Sequence, residues 1–194
     1  MKKMNTLEKV QKSIRLVAVT ALTLGMVSCS DDDNNTPINE EEVITTVTVR
    51  LTGGGQVITL TSRDLDGDGP NAPVVTASGN LAPNTTYTGT VSFLNEAETP
   101  AEDKTAEILA EGLEHQVFFQ PTSGLGTFTY TDSDSSGRPI GLSFNYLSGN
   151  AGTGSLTVTL RHMPNKAAAG VAAGDITNAG GSTDVQVQYP ITIN

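Results

Sequence analysis

From residue 43 onward, apolar and polar residues alternate in short runs. Val47, Val49 and Leu51 are each separated by one Thr or Arg, which is the two-residue period of a strand with one buried face. Three glycines at 53–55 end this first run and predict a hairpin. About nine short strands separated by Gly, Pro, Asn and Asp predict an all-β fold, an antiparallel immunoglobulin-like β-sandwich. The predicted strands are 43–51, 57–61, 74–77, 86–94, 116–120, 126–131, 140–147, 155–161 and 184–193.

One segment has a helical pattern instead. Thr99 can cap a helix, Pro100 suits a first helical position, and Glu102 stands three residues after the cap. With Gly112 as the C-terminal cap, these residues predict one short helix inserted at about 100–111. The apolar side chains expected to face the sheets are Ala106, Leu109 and Leu113.

The chain before residue 43 has a different composition. Five Lys and Arg residues precede an apolar run at 16–27, which is too short to cross a bilayer as a helix and is typical of a signal peptide. Small residues then lead to Cys29, the only cysteine of the chain. The predicted segments are a lipoprotein signal peptide at 1–28, a lipidated Cys29 with a flexible acidic tether at 29–42, and the β-sandwich domain at 43–194.

The residues around this cysteine, Met-Val-Ser-Cys-Ser-Asp-Asp-Asp at 26–33, resemble the signal of Bacteroidota surface lipoproteins. In that family the signal peptide ends before the cysteine, and the Ser-Asp run directs export to the cell surface. The resemblance implies a lipid on Cys29 that anchors the chain in the outer membrane, with the domain exposed at the surface. Several acyl chains give lasting attachment, since each buried methylene contributes about 0.8 kcal/mol.

Charge and cysteine content exclude several kinds of partner and site. Without residues 1–28 the chain keeps 6 Lys and Arg and 20 Asp and Glu, so its net charge is −14 (6 − 20). This charge repels nucleic acid, and no nucleic-acid partner is expected. A lipidated Cys29 leaves no thiol for disulfides, metal ligation or nucleophilic catalysis.

A short motif strengthens the prediction of a sandwich. Leu81, Pro83, Thr85 and Tyr87 occupy alternate positions. They resemble the corner between two strands of fibronectin type III domains, in which the tyrosine hydroxyl binds the backbone. The tryptophan of that family is absent, because the chain contains no Trp.

An aspartate-rich loop is a candidate calcium site. Asp64, Asp66 and Asp68 supply carboxylates at positions 1, 3 and 5, and Gly69 stands at position 6, as in loops that wrap calcium. Val75 stands where an EF-hand has its glutamate, so the loop is not an EF-hand. The alternative is that Asp and Gly are ordinary turn residues. Calcium is therefore a candidate cofactor and no cofactor is certain.

The acidic helix and the two histidines form a second candidate site. Glu111 and Glu114 precede His115, and His162 lies at the end of another predicted strand. If the two strands are neighbours, two imidazoles and a carboxylate could bind Zn²⁺ or Cu²⁺. The alternative is a solvated acidic face with two structural histidines.

Catalytic motifs are missing from the sequence. It has no Gly-x-Ser-x-Gly elbow, no His-Glu-x-x-His and no phosphate-binding loop, and its scarce aromatics disfavour a sugar-binding cleft. We therefore do not expect an enzyme, and an envelope hydrolase is the lowest of the alternatives.

Several segments together resemble a small group of Bacteroidota lipoproteins without established activity, sometimes labelled type 1 periplasmic-binding folds. That label implies a parallel sheet alternating with helices, which one predicted helix does not support. The first hypothesis is a non-enzymatic binding or accessory lipoprotein, the companion of an outer-membrane receptor; the alternative is a metal-capture lipoprotein. The resembling segments are Leu-Asp-Gly-Asp-Gly-Pro at 65–70 and the segments 95–103, 114–116 and 161–166.

Overall fold

The computed structural model describes residues 42–67 and 69–194. The signal peptide predicted at 1–28, and residues 29–41 of the tether predicted at 29–42, lie outside the described residues. The described residues form ten strands, one α-helix and two short 3-10 helices at Val171–Ala173 and Ile176–Asn178. None of the described helices has the length and hydropathy that a membrane span requires. The elements are β1 (Thr46–Gly53), β2 (Gln56–Arg63), β3 (Val74–Ala77), β4 (Thr86–Asn95), β5 (Glu102–Asp103), α1 (Lys104–Ala110), β6 (His115–Pro121), β7 (Gly126–Tyr130), β8 (Ser143–Ser148), β9 (Gly152–His162) and β10 (Ser182–Ile193).

Two antiparallel sheets confirm the predicted β-sandwich. The larger sheet has the strand order β3-β2-β1-β4-β8-β7, with β5 paired to β4, and the smaller sheet has the order β10-β9-β6. The predicted hairpin is present, because Gly54 and Gly55 form the turn between β1 and β2. Both have positive φ angles, 58° and 75°, which glycine adopts without strain.

The core fills the space between the sheets. Phe119 of β6 stacks on Phe128 of β7, with ring centroids 4.7 Å apart, and lies 4.3 Å from the ring of Phe144 on β8. Tyr189 of β10 also reaches across, and its buried hydroxyl donates a 2.7 Å hydrogen bond to the carbonyl of Val47. These contacts join the two sheets into one hydrophobic core.

The tyrosine corner forms as the sequence predicted. Tyr87 is fully buried, and its hydroxyl accepts hydrogen bonds from the backbone N–H of Ala82 at 2.8 Å and from the side chain of Gln56 at 3.1 Å. The hydroxyl therefore holds the segment before β4 against the first hairpin.

The helix is shorter than predicted and has a different start. Asp103 caps it, accepting a hydrogen bond from the N–H of Thr105, and Thr99-Pro100 is a cis peptide that lies before the helix. The buried face also differs from the predicted one, because Ile108 is the buried side chain of the helix. Ala106, Leu109 and Leu113, expected to face the sheets, are exposed, with Leu109 58% and Leu113 55% exposed.

We expect Tyr87→Phe to lower the free energy of unfolding by about 1–2 kcal/mol, because the N–H of Ala82 would lose its buried acceptor. Denaturant unfolding should show this loss with an unchanged slope. Thr88→Ser, at an exposed neighbouring position of β4, should change stability by less than about 0.5 kcal/mol. Equal stability of the two variants would contradict the proposed role of the hydroxyl.

Candidate functional site

The two histidines lie opposite each other at one end of the smaller sheet. His115 begins β6, His162 ends β9, and the strand register pairs them directly. Side chains alternate along a strand, so His115 shares a face with Val117 and Phe119, both of which are buried in the core. The strands that carry the two histidines, β6 and β9, are therefore neighbours, which is the condition that the predicted metal site required.

A third polar side chain joins them from β10. The register of β10 with β9 shifts between Thr183 and Val185, so that Asp184 is the extra residue of a β-bulge. Such a β-bulge re-aims a side chain. The carboxylate of Asp184 consequently lies beside both imidazoles, and its side chain has no exposed surface.

The distances bring three donor groups together. Asp184 Oδ2 lies 3.6 Å from His115 Nε2, and Asp184 Oδ1 lies 3.9 Å from His162 Nδ1. All three ligand atoms fall within 4.8 Å of one another. Zinc bonds of about 2.0–2.2 Å in a tetrahedral arrangement place donors roughly 3.3–3.6 Å apart, which is close to the two histidine–aspartate distances.

The two imidazole rings are stacked, with centroids 4.8 Å apart and planes inclined by 14°. Lone pairs lie in the ring planes, so nearly parallel rings do not aim at one point. Binding of one cation by both nitrogens requires one ring to rotate. The side chain of His162 is 10% exposed and that of His115 is fully buried, so His162 is the more accessible ring.

The two imidazole nitrogens that face Asp184 are buried. Among the described residues, neither His115 Nε2 nor His162 Nδ1 has a hydrogen-bond partner. Burial lowers the pKa of His115, although the nearby carbonyl of Glu111 and the charges of Glu111 and Glu42 partly oppose this effect. His115 therefore favours the neutral form, which is the form that ligates metals.

The two expected glutamates lie beside the other ring nitrogens. Glu114 Oε2 is 3.6 Å from His162 Nε2, and Glu111 Oε2 is 3.9 Å from His115 Nδ1. Both glutamate side chains are about half exposed, at 49% and 48%. The structure thus brings together all four residues of the predicted transition-metal site, and it adds Asp184 on the inner side.

Lys104, the first residue of α1, forms ion pairs with three glutamates. The ammonium of Lys104 lies 2.8 Å from Glu107, 3.1 Å from Glu42 and 3.2 Å from Glu102. The hydrogen bond with Glu107 is the main cause of a raised Lys104 pKa. Glu42, Glu111 and His115 also bring their ligand atoms within 4.8 Å, but Lys104 already supplies a cation to this side of the cluster.

The predicted calcium loop follows β2. Asp66 accepts two hydrogen bonds from Asn71, at 2.7 Å from the side chain and 3.2 Å from the backbone, and these bonds lower its pKa. Asp64 Oδ1 is buried and has no hydrogen-bond partner among the described residues. Asp68, the third expected ligand, lies outside the described residues, so calcium binding stays a prediction.

Another loop, at 131–142 between β7 and β8, contains Asp132 and Asp134 and binds a buried lysine. Lys166 is 5% exposed and donates to Asp134 at 2.9 Å, to the carbonyl of Pro139 at 2.9 Å and to the carbonyl of Gly112. Desolvation lowers the pKa of Lys166, while the carboxylate of Asp134 opposes this effect. Three acceptors satisfy the three ammonium hydrogens, so this cluster has a structural role.

Comparison with known proteins adds no assignment, because no family model, no curated protein and no solved structure matches the chain. The histidine–aspartate cluster therefore has to be interpreted from its own geometry. Sequence reasoning found both histidines and missed Asp184. The usable signal was the alternation on β6 and β9, which places both histidines on the core face; the bulge at Asp184 has no sequence pattern as clear.

A tight backbone approach precedes the bulge. Gly181 has a φ of 70°, and a Cβ at this position would lie 2.1 Å from the carbonyl oxygen of His162. Gly180 has a similar φ of 60°, but a Cβ there would meet no heavy atom within 4 Å. An alanine at position 180 would therefore introduce backbone strain alone, whereas an alanine at position 181 would also clash with the end of β9.

We expect Gly180→Ala to cost about 1–2 kcal/mol, the strain of a left-handed alanine. Gly181→Ala should cost at least about 1 kcal/mol more, because the β9–β10 contact must also open. Guanidinium unfolding of both variants measures the difference. If both lose the same stability, the close approach does not constrain the position of Asp184.

Proposed function

We propose that this chain is a lipid-anchored, non-enzymatic cell-envelope protein that binds one transition-metal ion, Zn²⁺ or Cu²⁺, through His115, His162 and Asp184. The observation that carries the proposal is the pair of buried imidazole nitrogens, without hydrogen-bond partners among the described residues, that face one carboxylate at 3.6 and 3.9 Å. A bound cation would interact favourably with both imidazole lone pairs and with the carboxylate at the same time.

The donor types support a transition metal. Imidazole nitrogen suits Zn²⁺, Cu²⁺ and Ni²⁺, whereas Ca²⁺ and Mg²⁺ take oxygen ligands. Three side chains of the described residues form this group, which leaves a fourth position of a tetrahedral ion for water or an external donor. Structural zinc sites use four protein ligands, so a three-ligand site favours exchangeable capture over permanent stabilisation.

The anchor places this site in the cell envelope. Its support is the sequence around Cys29, with a positive and then apolar segment before the cysteine and a Ser-Asp run after it. We propose attachment to the outer membrane with the domain at the cell surface, as in the lipoproteins that this signal resembles. The proposed partners are accordingly the membrane, through the lipid, and the metal ion.

A second candidate function is the binding of a partner such as an outer-membrane receptor. Leu109 and Leu113 are more than half exposed and line a groove of about 350 Å³ between the end of α1 and the loop at 133–135. Exposed apolar surface with an acidic rim, here Glu111 and Glu114, is typical of an interaction site. This exposed surface supports the binding of a partner protein, whereas the histidine cluster supports the capture of a metal ion.

For metal binding, we expect the metal-stripped full chain in detergent to bind one Zn²⁺ in calorimetric titration. Saturation at a hundred times the dissociation constant should stabilise the fold by about 2.7 kcal/mol, which raises the melting temperature by roughly 5–10 °C. His115→Ala and Asp184→Asn should each weaken binding by at least about 100-fold, or about 2.7 kcal/mol.

Glu98→Gln is the matched control, because it removes one exposed acidic charge away from the cluster. It should leave zinc affinity unchanged, and Ca²⁺ should not displace the zinc. Zinc binding that survives Asp184→Asn and His115→Ala would rule out this site as the metal site.

For the anchor, we expect Cys29→Ala to move the protein from the membrane to the soluble fraction of fractionated cells, because the lipid attachment point is lost. Protease added to intact cells should remove the wild-type domain if the domain is on the outer surface. A Cys29→Ala protein that stays in the membrane fraction would exclude the lipoprotein assignment.

A further inference from the structure

The two histidines of the cluster present different nitrogens to Asp184. His115 faces it with Nε2 and His162 faces it with Nδ1. A neutral imidazole carries one N–H, and only the other nitrogen has a lone pair for a metal ion. Metal binding therefore requires opposite tautomers, with the proton on Nδ1 of His115 and on Nε2 of His162.

In His115 the backbone selects the required tautomer. Its Nδ1 lies 3.3 Å from the carbonyl oxygen of Glu111, an atom that can only accept a hydrogen bond. The proton therefore belongs on Nδ1, and Nε2 presents its lone pair. The side-chain carboxylate of Glu111 is farther away, at 3.9 Å, and is not needed for this selection.

In His162 only a side chain can make the same selection. Among the described residues, Glu114 Oε2 lies 3.6 Å from His162 Nε2, on the side of the ring opposite Asp184. We propose that Glu114 is a positioning residue that keeps the proton of His162 on Nε2 and so directs the Nδ1 lone pair to the metal. The metal-binding part of this inference rests on the function proposed above.

The main chain keeps Glu114 near the ring. Its carbonyl accepts a 2.6 Å hydrogen bond from the N–H of Met163, the residue that directly follows His162. The start of β6 is thereby joined to the end of β9. Glu114 is half exposed, so its carboxylate can follow His162 when that ring rotates to bind an ion. A carboxylate behind a metal-bound histidine fixes the ring and raises its basicity, which increases metal affinity by about 10–100-fold.

The experiment measures tautomers and affinity separately in the full chain. Long-range ¹H–¹⁵N correlation spectra of the metal-free protein at about pH 8, above the ordinary imidazole pKa of about 6.5, distinguish Nδ1–H from Nε2–H. We expect His115 as the Nδ1–H form and His162 as the Nε2–H form. The chain has only these two histidines, so His162→Ala assigns the signals.

Glu114→Ala should weaken zinc binding by about 10–100-fold at unchanged stoichiometry and should move His162 toward the Nδ1–H form. Glu114→Gln keeps an acceptor oxygen and should restore most of the affinity and the tautomer. Glu98→Ala is the matched control, because it removes an exposed carboxylate that is not part of the cluster. It should change neither measurement.

The outcomes separate the two proposals. If the wild type binds zinc and Glu114→Ala keeps both the affinity and the tautomer, the positioning role is wrong and metal binding stands. If the wild type shows the expected opposite tautomers and binds neither Zn²⁺ nor Cu²⁺, the positioning role stands without a metal, and the proposed function fails. Equal losses in Glu98→Ala and Glu114→Ala would attribute the effect to charge alone and overturn the positioning role.

Discussion

The register of β9 with its two neighbours is the constraint on which the rest of this domain depends. Val117 pairs with Leu160 and Phe119 with Val158, and the same register sets His115 opposite His162. Because side chains alternate, a slip of one residue would turn the histidines and these core residues to the other face together. Hydrophobic packing thus fixes the geometry of the polar cluster, and the cluster cannot move independently of the core.

Two buried polar clusters in the domain differ in how completely they are satisfied. The ammonium of Lys166 donates to three acceptors, as a structural lysine does. The facing nitrogens of His115 and His162 have no hydrogen-bond partner among the described residues. An unsatisfied buried polar group costs about 1–3 kcal/mol, so such a group needs an explanation. Ligand binding is an explanation that applies to the histidines and does not apply to Lys166.

The sequence predicted the parts of the fold that depend on local alternation. All nine predicted strand segments overlap observed strands, although the segments predicted at 43–51 and 140–147 begin as strands only at Thr46 and Ser143. Tyr87 was predicted from a motif, and its hydroxyl makes the expected backbone bond. The two-residue strand β5 was missed, because two residues show no period.

Predictions that depend on longer-range geometry were less successful. The helix start was placed at Pro100, but Asp103 is the cap, and the helix buries Ile108 while Leu109 and Leu113 are exposed. Both histidines were identified because histidine is rare in this chain and each lies at a strand boundary. Asp184 was not identified, since a bulge residue becomes visible only when the partner strand is known.

The cluster joins parts of the chain that are far apart in sequence. From His115 to His162 is 47 residues (162 − 115), and from His162 to Asp184 is 22 residues (184 − 162). An ion held by all three would close both loops, as a disulfide does, in a chain whose single cysteine cannot form one within the molecule. Closing loops of this length removes about 3–4 kcal/mol of chain entropy from the unfolded state in the simplest model. One metal ion would therefore cross-link β6, β9 and β10, and its arrival or loss would change the mechanical resistance of the whole smaller sheet.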